Sequence, residues 1–352
     1  MLYGVWYAVG ALLAVLFPVP RQAEILFAGD AMQHAGQIEA ARRNGGATYD
    51  YSECFSQIAP YVKSADFAVV NLEAPLGGKP YTGYPCFSAP DEYAQALIDA
   101  GFDMMLTANN HTLDRRDAGL HRTLRVLDSL GVTHLGTYHD TADRDSLTPK
   151  IVDVNGFKVA FLNYTYGTNG FTATKTAKVN YINHDEISAD VHSARSQGAE
   201  IVAVCIHWGE EYKLLPNAAQ RREAEFLSQL DVDMIIGGHP HVIQPMEMRT
   251  NKAGRPMLLV YSLGNFISNM KTTDTRGGAM VKVHLHRDAQ GRAMVTGAKY
   301  SLVFTTPGTY HLLPVDKSTD SRADAFRRSA EAIFGKYNVN VTCDSTFNYA
   351  NL

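Results

Sequence analysis

Four cysteines are spread over 352 residues, and none forms a Cys-x-x-Cys pair. That spacing argues against a structural zinc knuckle. No strand-like run leads into Gly-x-Gly-x-x-Gly, which disfavours a Rossmann-type dinucleotide site. No Gly-x-Ser-x-Gly elbow is present to support a serine hydrolase. Charge is also modest: charged residues make up 19%, with a formal net charge of -4. This balance argues against a general binder of nucleic acid or anionic membranes. The basic pairs Arg42-Arg43, Arg115-Arg116 and Arg221-Arg222 read as solvated helix faces. Long apolar runs are missing with one exception, Leu2 to Val19, which carries no charge. Residues 1–22 therefore read as a signal peptide or an N-terminal membrane anchor. The expected protein is exported, periplasmic or held in the cell envelope, with membrane contact through residues 1–19. The first basic residue, Arg21, follows the apolar run, so the positive-inside rule sets no orientation.

A hydrophobic fraction of 45% is ordinary for a globular chain, and the length suffices for a sizeable core. Strand-like runs at 24–28, 67–72, 104–108, 201–206 and 234–236 alternate with helical spacing at 91–100, 118–130, 185–197 and 218–230. Gly101 and Gly131 stop the first two of these helices. Asn155-Gly156 predicts a hairpin between runs 151–154 and 158–163. The last third holds strand-like runs at 257–263, 279–285, 293–303 and 310–315, then a helix at 322–334 expected on an outer face. This order predicts an α/β fold with two packed sheets flanked by helices. Residues 164–180 are rich in Thr, Gly and Asn and read either as a loop over the site or as ordinary surface. Cys205 lies within an apolar run and reads as a core residue. Cys54 and Cys86 are a candidate disulfide pair in an oxidising compartment.

The apolar runs share a feature: each ends in a residue that can hold a metal. They lead into Asp30, Glu73, Asn110-His111, His207 and Gly238-His239-Pro240-His241. Taken singly, Asp30 reads equally as a helix cap, His207 as a core histidine, and Asn109 and Asn110 as turn residues. Taken together, Asp30, Glu73, Asn110, His207, His239 and His241 supply carboxylate, amide and imidazole donors without thiolate. That set suits one or two divalent cations such as manganese, iron or zinc. A pair of cations about 3.5–4 Å apart can activate water and clamp both oxygens of a displacement. Trp208 is a candidate lid or substrate contact, and Glu211 and Asn265 are candidates to orient the ligands from behind.

The order of these motifs resembles calcineurin-like metallophosphoesterases. More closely, the chain is similar to the bacterial capsule-synthesis (CapA-like, poly-γ-glutamate synthesis) family. The motifs are Gly29-Asp30, Asn71-Leu72-Glu73-Ala74-Pro75, Ala108-Asn109-Asn110-His111 with Asp114, His207-Trp208-Gly209-Glu210-Glu211, Gly238-His239-Pro240-His241 and Tyr261-Ser262-Leu263-Gly264-Asn265-Phe266. The resemblance implies a four-layer α/β/β/α sandwich over residues 23–318, with 319–352 as a C-terminal helix and tail packed on it. It implies Glu73 as the bridging carboxylate, Asp30 and His241 on one metal, and Asn110, His207 and His239 on the other. His111 becomes the general acid and Asp114 its orienting partner. Two positions depart from the pattern. Met32 stands where calcineurin-like enzymes place a His, and Arg116 stands where the capsule family usually has Gly. The expected activity is metal-dependent hydrolysis of a phosphoester or of an envelope polymer such as poly-γ-glutamate. The alternative is a non-catalytic, metal-binding component of polymer assembly or export. The expected partner is an anionic polymer or phosphoester, and no nucleic acid.

Overall fold

The computed structural model describes residues 21–174 and 176–347. The predicted signal peptide or anchor thus lies largely outside the described residues, and none of the described helices is long and apolar enough to cross a membrane. The first part of the chain alternates strand and helix: β1 (Gln22–Ala31), α1 (Ala35–Gly45), β2 (Phe67–Leu72), α2 (Asp91–Asp99), β3 (Met104–Leu106), α3 (Arg116–Leu130) and β4 (Thr133–Leu135). Strands β1 to β4 pair in parallel. A second series follows: β5 (Lys150–Val154), β6 (Phe157–Thr165), α4 (His184–Ser196), β7 (Ile201–His207), α5 (Ala218–Gln229), β8 (Met234–Gly238), β9 (Met246–Thr250) and β10 (Pro256–Val260). Then come β11 (Asn265–Ile267), β12 (Gly277–Arg287), β13 (Ala293–Thr305), β14 (Leu312–Pro314), α6 (Ser321–Tyr337) and β15 (Val341–Cys343).

These strands make two main sheets. One runs β14-β13-β12-β1-β2-β3-β4, with β11 added beside β1 and β15 beside β13; the other runs β9-β10-β8-β7-β6-β5. Their inner faces meet through Ile25, Phe27, Phe67, Val69, Phe161, Ala203, Ile236 and Val281. The outer face of the first sheet, with Leu26, Ala28, Ala68 and Val70, packs under α1 and α2. The outer face of the second, with Leu162, Val204 and Ile235, packs under α4 and α5. The result is the four-layer α/β/β/α sandwich that the resemblance implies. Burial on both faces explains why these strands read as continuous apolar runs rather than as alternating ones.

Local signals account for many boundaries. Gly131 adopts the left-handed conformation (φ 70°) and its N–H returns to the carbonyls of Leu127 and Asp128, closing α3. Asn183 caps α4 through the N–H groups of Asp185 and Glu186, and Asn217 with Gln220 forms a capping box on α5. Asn155 (φ 47°) and Gly156 (φ 83°) make the hairpin turn with the positive φ pair this turn needs.

Two expectations are corrected. Cys54 and Cys86 are free thiols, Cys54 buried in the layer beneath the first sheet's helices. Helix α6 does not cover an outer face. Its Phe326, Ala330, Ile333 and Phe334 join the core between the sheets, with Phe334 4.6 Å from Tyr300 and Phe326 6.2 Å from Phe304 (ring centroids).

Candidate metal centre

The carboxyl ends of β1, β2, β3, β7 and β8 meet at one edge, where open α/β sheets place ligands. Side-chain direction there depends on a bulge in β1. Ala28 pairs with Val70 and Asp30 with Asn71, so Gly29 is the extra residue. The bulge turns Asp30 onto the inner face that Phe27 occupies two rungs earlier. Gly29 is required, because a Cβ there would stand 2.0 Å from the Gly264 carbonyl oxygen. Glu73 follows Asn71 at the two-residue interval that keeps both on one face.

All six expected donors are buried and converge. Glu73, His239 and His241 each offer a ligand atom, and these atoms lie within 4.8 Å of one another; the same holds for Asp30, Glu73 and His207. Glu73 belongs to both groups. The other members group differently from the division the resemblance implies, although Asp30 Oδ2 also lies 3.4 Å from His241 Nδ1. Glu73 Oε1 is 3.6 Å from His207 Nε2 and 3.9 Å from His241 Nε2. Asn110 Oδ1 is 2.9 Å from His207 Nε2. The backbone of the His-x-His segment is strained to achieve this. His239 and His241 take φ of 97° and 57°, a region that L-residues avoid. The His239 N–H donates to Asp30 Oδ2 (3.2 Å), and the Gly238 carbonyl accepts from Trp208 N–H (3.1 Å).

The donor set fits a divalent cation. Glu73 Oε1 and His239 Nδ1 are buried and have no hydrogen-bond partner, and a buried polar atom left unpaired is costly. Burial, then the field of Asp30, pushes the Glu73 carboxyl well above its usual range. Burial also tends to raise Asp30, but the hydrogen bond from His241 and the fields of His207 and His241 hold it below that range. Burial, then His239, drives His207 far down, and burial, then His241, lowers His239 to about 4. Neutral imidazoles beside crowded carboxylates are the state in which such groups ligate cations.

His111 stands beside this cluster. Its Nδ1 is 2.8 Å from Asp114 Oδ2, which also accepts from the Phe87 N–H at 2.7 Å. The Phe87 ring packs edge-on against His111 at 4.6 Å. Asn265 Oδ1 lies 3.0 Å from His241 Nδ1, while its amide nitrogen donates to the Thr275 carbonyl at 2.8 Å. Glu211 is half-buried at the rim; its charge acts on Glu73, and its carboxylate meets the Tyr212 hydroxyl. Trp208 does not face the site. It is buried in the layer under α5, its Nε1 donating to the Tyr261 carbonyl at 2.8 Å. It follows His207 by one residue and so points to the opposite side.

The two departures have local accounts. Met32 packs into the apolar layer beneath the helices rather than toward the cluster. Arg116 keeps the left-handed conformation (φ 56°) that Gly adopts freely, and its guanidinium lies 3.4 Å over the Phe171 ring.

Several residues at the site have no counterpart in the sequence reading. Asn71 donates to Asp30 Oδ1 (2.8 Å) and Glu73 Oε2 (3.3 Å), and accepts from Asn109 Nδ2 (3.1 Å). Its place two residues before Glu73 was the available signal. The segment after β6, whose sequence allows a loop over the site as one of two readings, does reach the site, through residues the sequence did not single out: Asn169 Oδ1 accepts from Asn110 Nδ2 (3.3 Å), and the Tyr166 ring lies 4.6 Å from His239. Tyr212 lies 6.3 Å from His241, and both tyrosines are exposed.

Comparisons with known proteins place the chain in a family. Residues 24–270 match the family described as bacterial capsule synthesis protein PGA_cap. The chain is 30% identical over 275 residues to the PGA biosynthesis protein CapA of Bacillus subtilis (strain 168), covering 77% of this chain and 70% of that protein. It is 30% identical over 268 residues to the capsule biosynthesis protein CapA of Bacillus anthracis, covering 73% of this chain but only 62% of that one. Among solved structures, it is similar to a 5′-nucleotidase precursor from Thermus thermophilus, with TM-score 0.50, 15% identity, and coverage of 88% of this chain and 59% of the other. It is also similar to the calcineurin-like phosphoesterase YfkN of Bacillus subtilis, with TM-score 0.49, 14% identity, and coverage of 89% and 97%. These structural likenesses concern the fold alone. With a family match over most of the chain and the matching motifs gathered at one sheet edge, this protein belongs to the bacterial capsule-synthesis (PGA_cap, CapA-like) family.

Proposed function

We propose that the protein is an exported, metal-dependent hydrolase of the cell envelope, acting on a phosphoester or on a bond of an anionic polymer such as poly-γ-glutamate. The observation that carries this reading is His111, braced by Asp114 and set beside a buried cluster of carboxyl and imidazole side chains. Glu73, Asp30, Asn110, His207, His239 and His241 would hold one or two divalent cations, with manganese, iron or zinc suited to these donors. Such a cation, when bound, is a Lewis acid that polarises the scissile group and lowers the pKa of water. The chain supplies the rest. Asp114 fixes the His111 ring through Nδ1, leaving Nε2 to hand a proton to the leaving group. Asn71 and Asn265 orient ligand side chains. Tyr166 and Tyr212 offer exposed ring faces at the mouth for the substrate.

The names of the two CapA relatives, a PGA and a capsule biosynthesis protein, supply the envelope context. Met32, which offers no imidazole, favours a second reading: a metal-binding component of polymer assembly without turnover. Elemental analysis of the purified protein, followed by assays on a phosphodiester and on γ-glutamyl oligomers, separates the two. Hydrolysis that needs metal and is lost in His111→Asn supports the hydrolase. Bound metal and polymer with no cleavage, unchanged by His111→Asn, overturns it.

A further inference from the structure

One buried cation takes no part in the metal centre. Arg276 closes the short helical turn Thr273–Arg276 and is 5% exposed. The other buried cations among the described residues are paired: Arg144 with Asp190, and Lys282 with Glu24 at 3.5 Å. Arg276 makes no ion pair among the described residues. It reaches only the Thr305 carbonyl (3.5 Å) and Asn269 Oδ1 (3.4 Å), and its Nε has no partner. Its surroundings include a like charge, Arg322, and an opposite one, Asp320, but the Asp320 carboxylate is bonded to the Arg322 guanidinium rather than to Arg276. A buried guanidinium without a carboxylate in direct contact is unfavourable unless a ligand provides one.

Further donors gather at the same place. Asn269, which touches Arg276, also donates its backbone N–H to His34 Nδ1 (3.3 Å), and His34 is the N-cap of the 11-residue helix α1. A Cβ on Gly36, in the first turn of α1, would stand 2.3 Å from the Tyr310 hydroxyl and 2.8 Å from Asn269 Nδ2. Two side-chain donors therefore close on a helix N-terminus where His34 and Gln37 form a capping box, the N–H groups of the first two residues have no intrahelical acceptor, and the dipole favours an anion. Unsatisfied groups flank the region. Gln33, fully buried just before His34, has neither amide atom bonded, and the buried Thr305 hydroxyl is also unpartnered.

This region adjoins the metal centre. The Thr275 carbonyl, one residue before Arg276, accepts from the Asn265 amide that also holds His241. The His34 ring meets Phe87 edge-on at 5.3 Å, and Phe87 packs against His111.

We propose that Arg276, Asn269, Tyr310 and the first turn of α1 form an oxyanion subsite beside the metal centre, which takes a carboxylate or phosphate of the substrate remote from the bond that is cleaved. The identification of the anion as part of the substrate rests on the hydrolase reading; the binding of an anion there does not. The test uses the full chain stripped of metal by chelation, so that no anion is held by a cation. Calorimetric titration and thermal melting are run with two probes, inorganic phosphate and γ-glutamyl-glutamate. One probe is expected to bind with one-to-one stoichiometry and raise the melting temperature. Its affinity should fall at least tenfold in Arg276→Gln and several-fold in Asn269→Ala, which retains the arginine should the first variant fold poorly. Binding of phosphate alone identifies a phosphate ligand, and binding of the dipeptide alone a carboxylate. No binding of either probe, or equal binding by both variants and the parent, overturns the proposal. Anion binding without hydrolysis would leave the subsite standing while refuting the hydrolase.

Discussion

Replacing Asn71 with Ala tests the idea that the metal centre is held in shape from behind. Asn71 gives its amide hydrogens to Asp30 at 2.8 Å and to Glu73 at 3.3 Å, and its oxygen accepts from Asn109 at 3.1 Å. For Glu73 Oε2 it is the sole hydrogen-bond donor found among the described residues. Asp30 keeps the His239 N–H and the contact with His241. A hydrogen bond to a charged group contributes about 1.5–3 kcal/mol. The 3.3 Å bond sits at the weak end, and truncation frees space for relaxation, so the metal-free protein should lose about 2–3 kcal/mol. For a chain of this size, taking about 2 °C per kcal/mol, the melting temperature should fall by roughly 4–6 °C. Loss of an orienting partner costs about 10- to 100-fold in metal affinity. Differential scanning calorimetry of the chelated protein and competitive titration with manganese or zinc read these effects separately. A variant that melts within about 1 °C of the parent and binds metal as tightly would refute the role assigned to Asn71.

Other perturbations probe neighbouring parts of the argument. A Cβ on Gly238 would lie 2.8 Å from Asp30 Oδ1, so Gly238→Ala should displace that carboxylate and weaken metal binding by about tenfold or more, read by the same titration; unchanged affinity would contradict this placement. Asp114→Asn should lower kcat by about 10²–10⁴-fold while leaving metal content intact, because Asp114 acts through the His111 ring; loss of bound metal instead would make Asp114 part of the cluster. Burial first, and then the fields of His241, His111 and Arg276, lowers His34 from 6.5 to about 4 despite the opposing bond to Gln37. Because the folded pKa is depressed, the unfolded chain takes the proton first. The associated stability is present above pH 6.5 and is lost as pH falls from 6.5 toward 4. After discounting for partial exposure, that is about 2 kcal/mol, so His34→Gln should flatten the acid limb of stability measured by denaturant unfolding between about pH 7 and 4.5. An identical slope in parent and variant would rule out this assignment.

The order of elements and the gathering of the candidate donors at one edge were legible from the chain alone. Strands buried on both faces must be apolar throughout, so their polar terminal residues stand out, and five such ends converge because parallel strands present their carboxyl ends to one edge. Turn and stop signals acted locally, as at Asn155-Gly156 and Gly131, and survived folding unchanged. What lay beyond the sequence was direction and distant company. The bulge at Gly29 turns Asp30 inward because strand pairing, not composition, sets the register. Trp208 shares a motif with His207 yet faces the other layer. Helix α6 has an apolar stripe that fits any open face, and only the packed structure shows that it lies against Tyr300 and Phe304 in the core between the sheets. Arg276 reads from sequence as one more arginine; that it has no ion pair among the described residues, and an Nε without a partner, emerges only once Thr305 and Asn269 have packed around it.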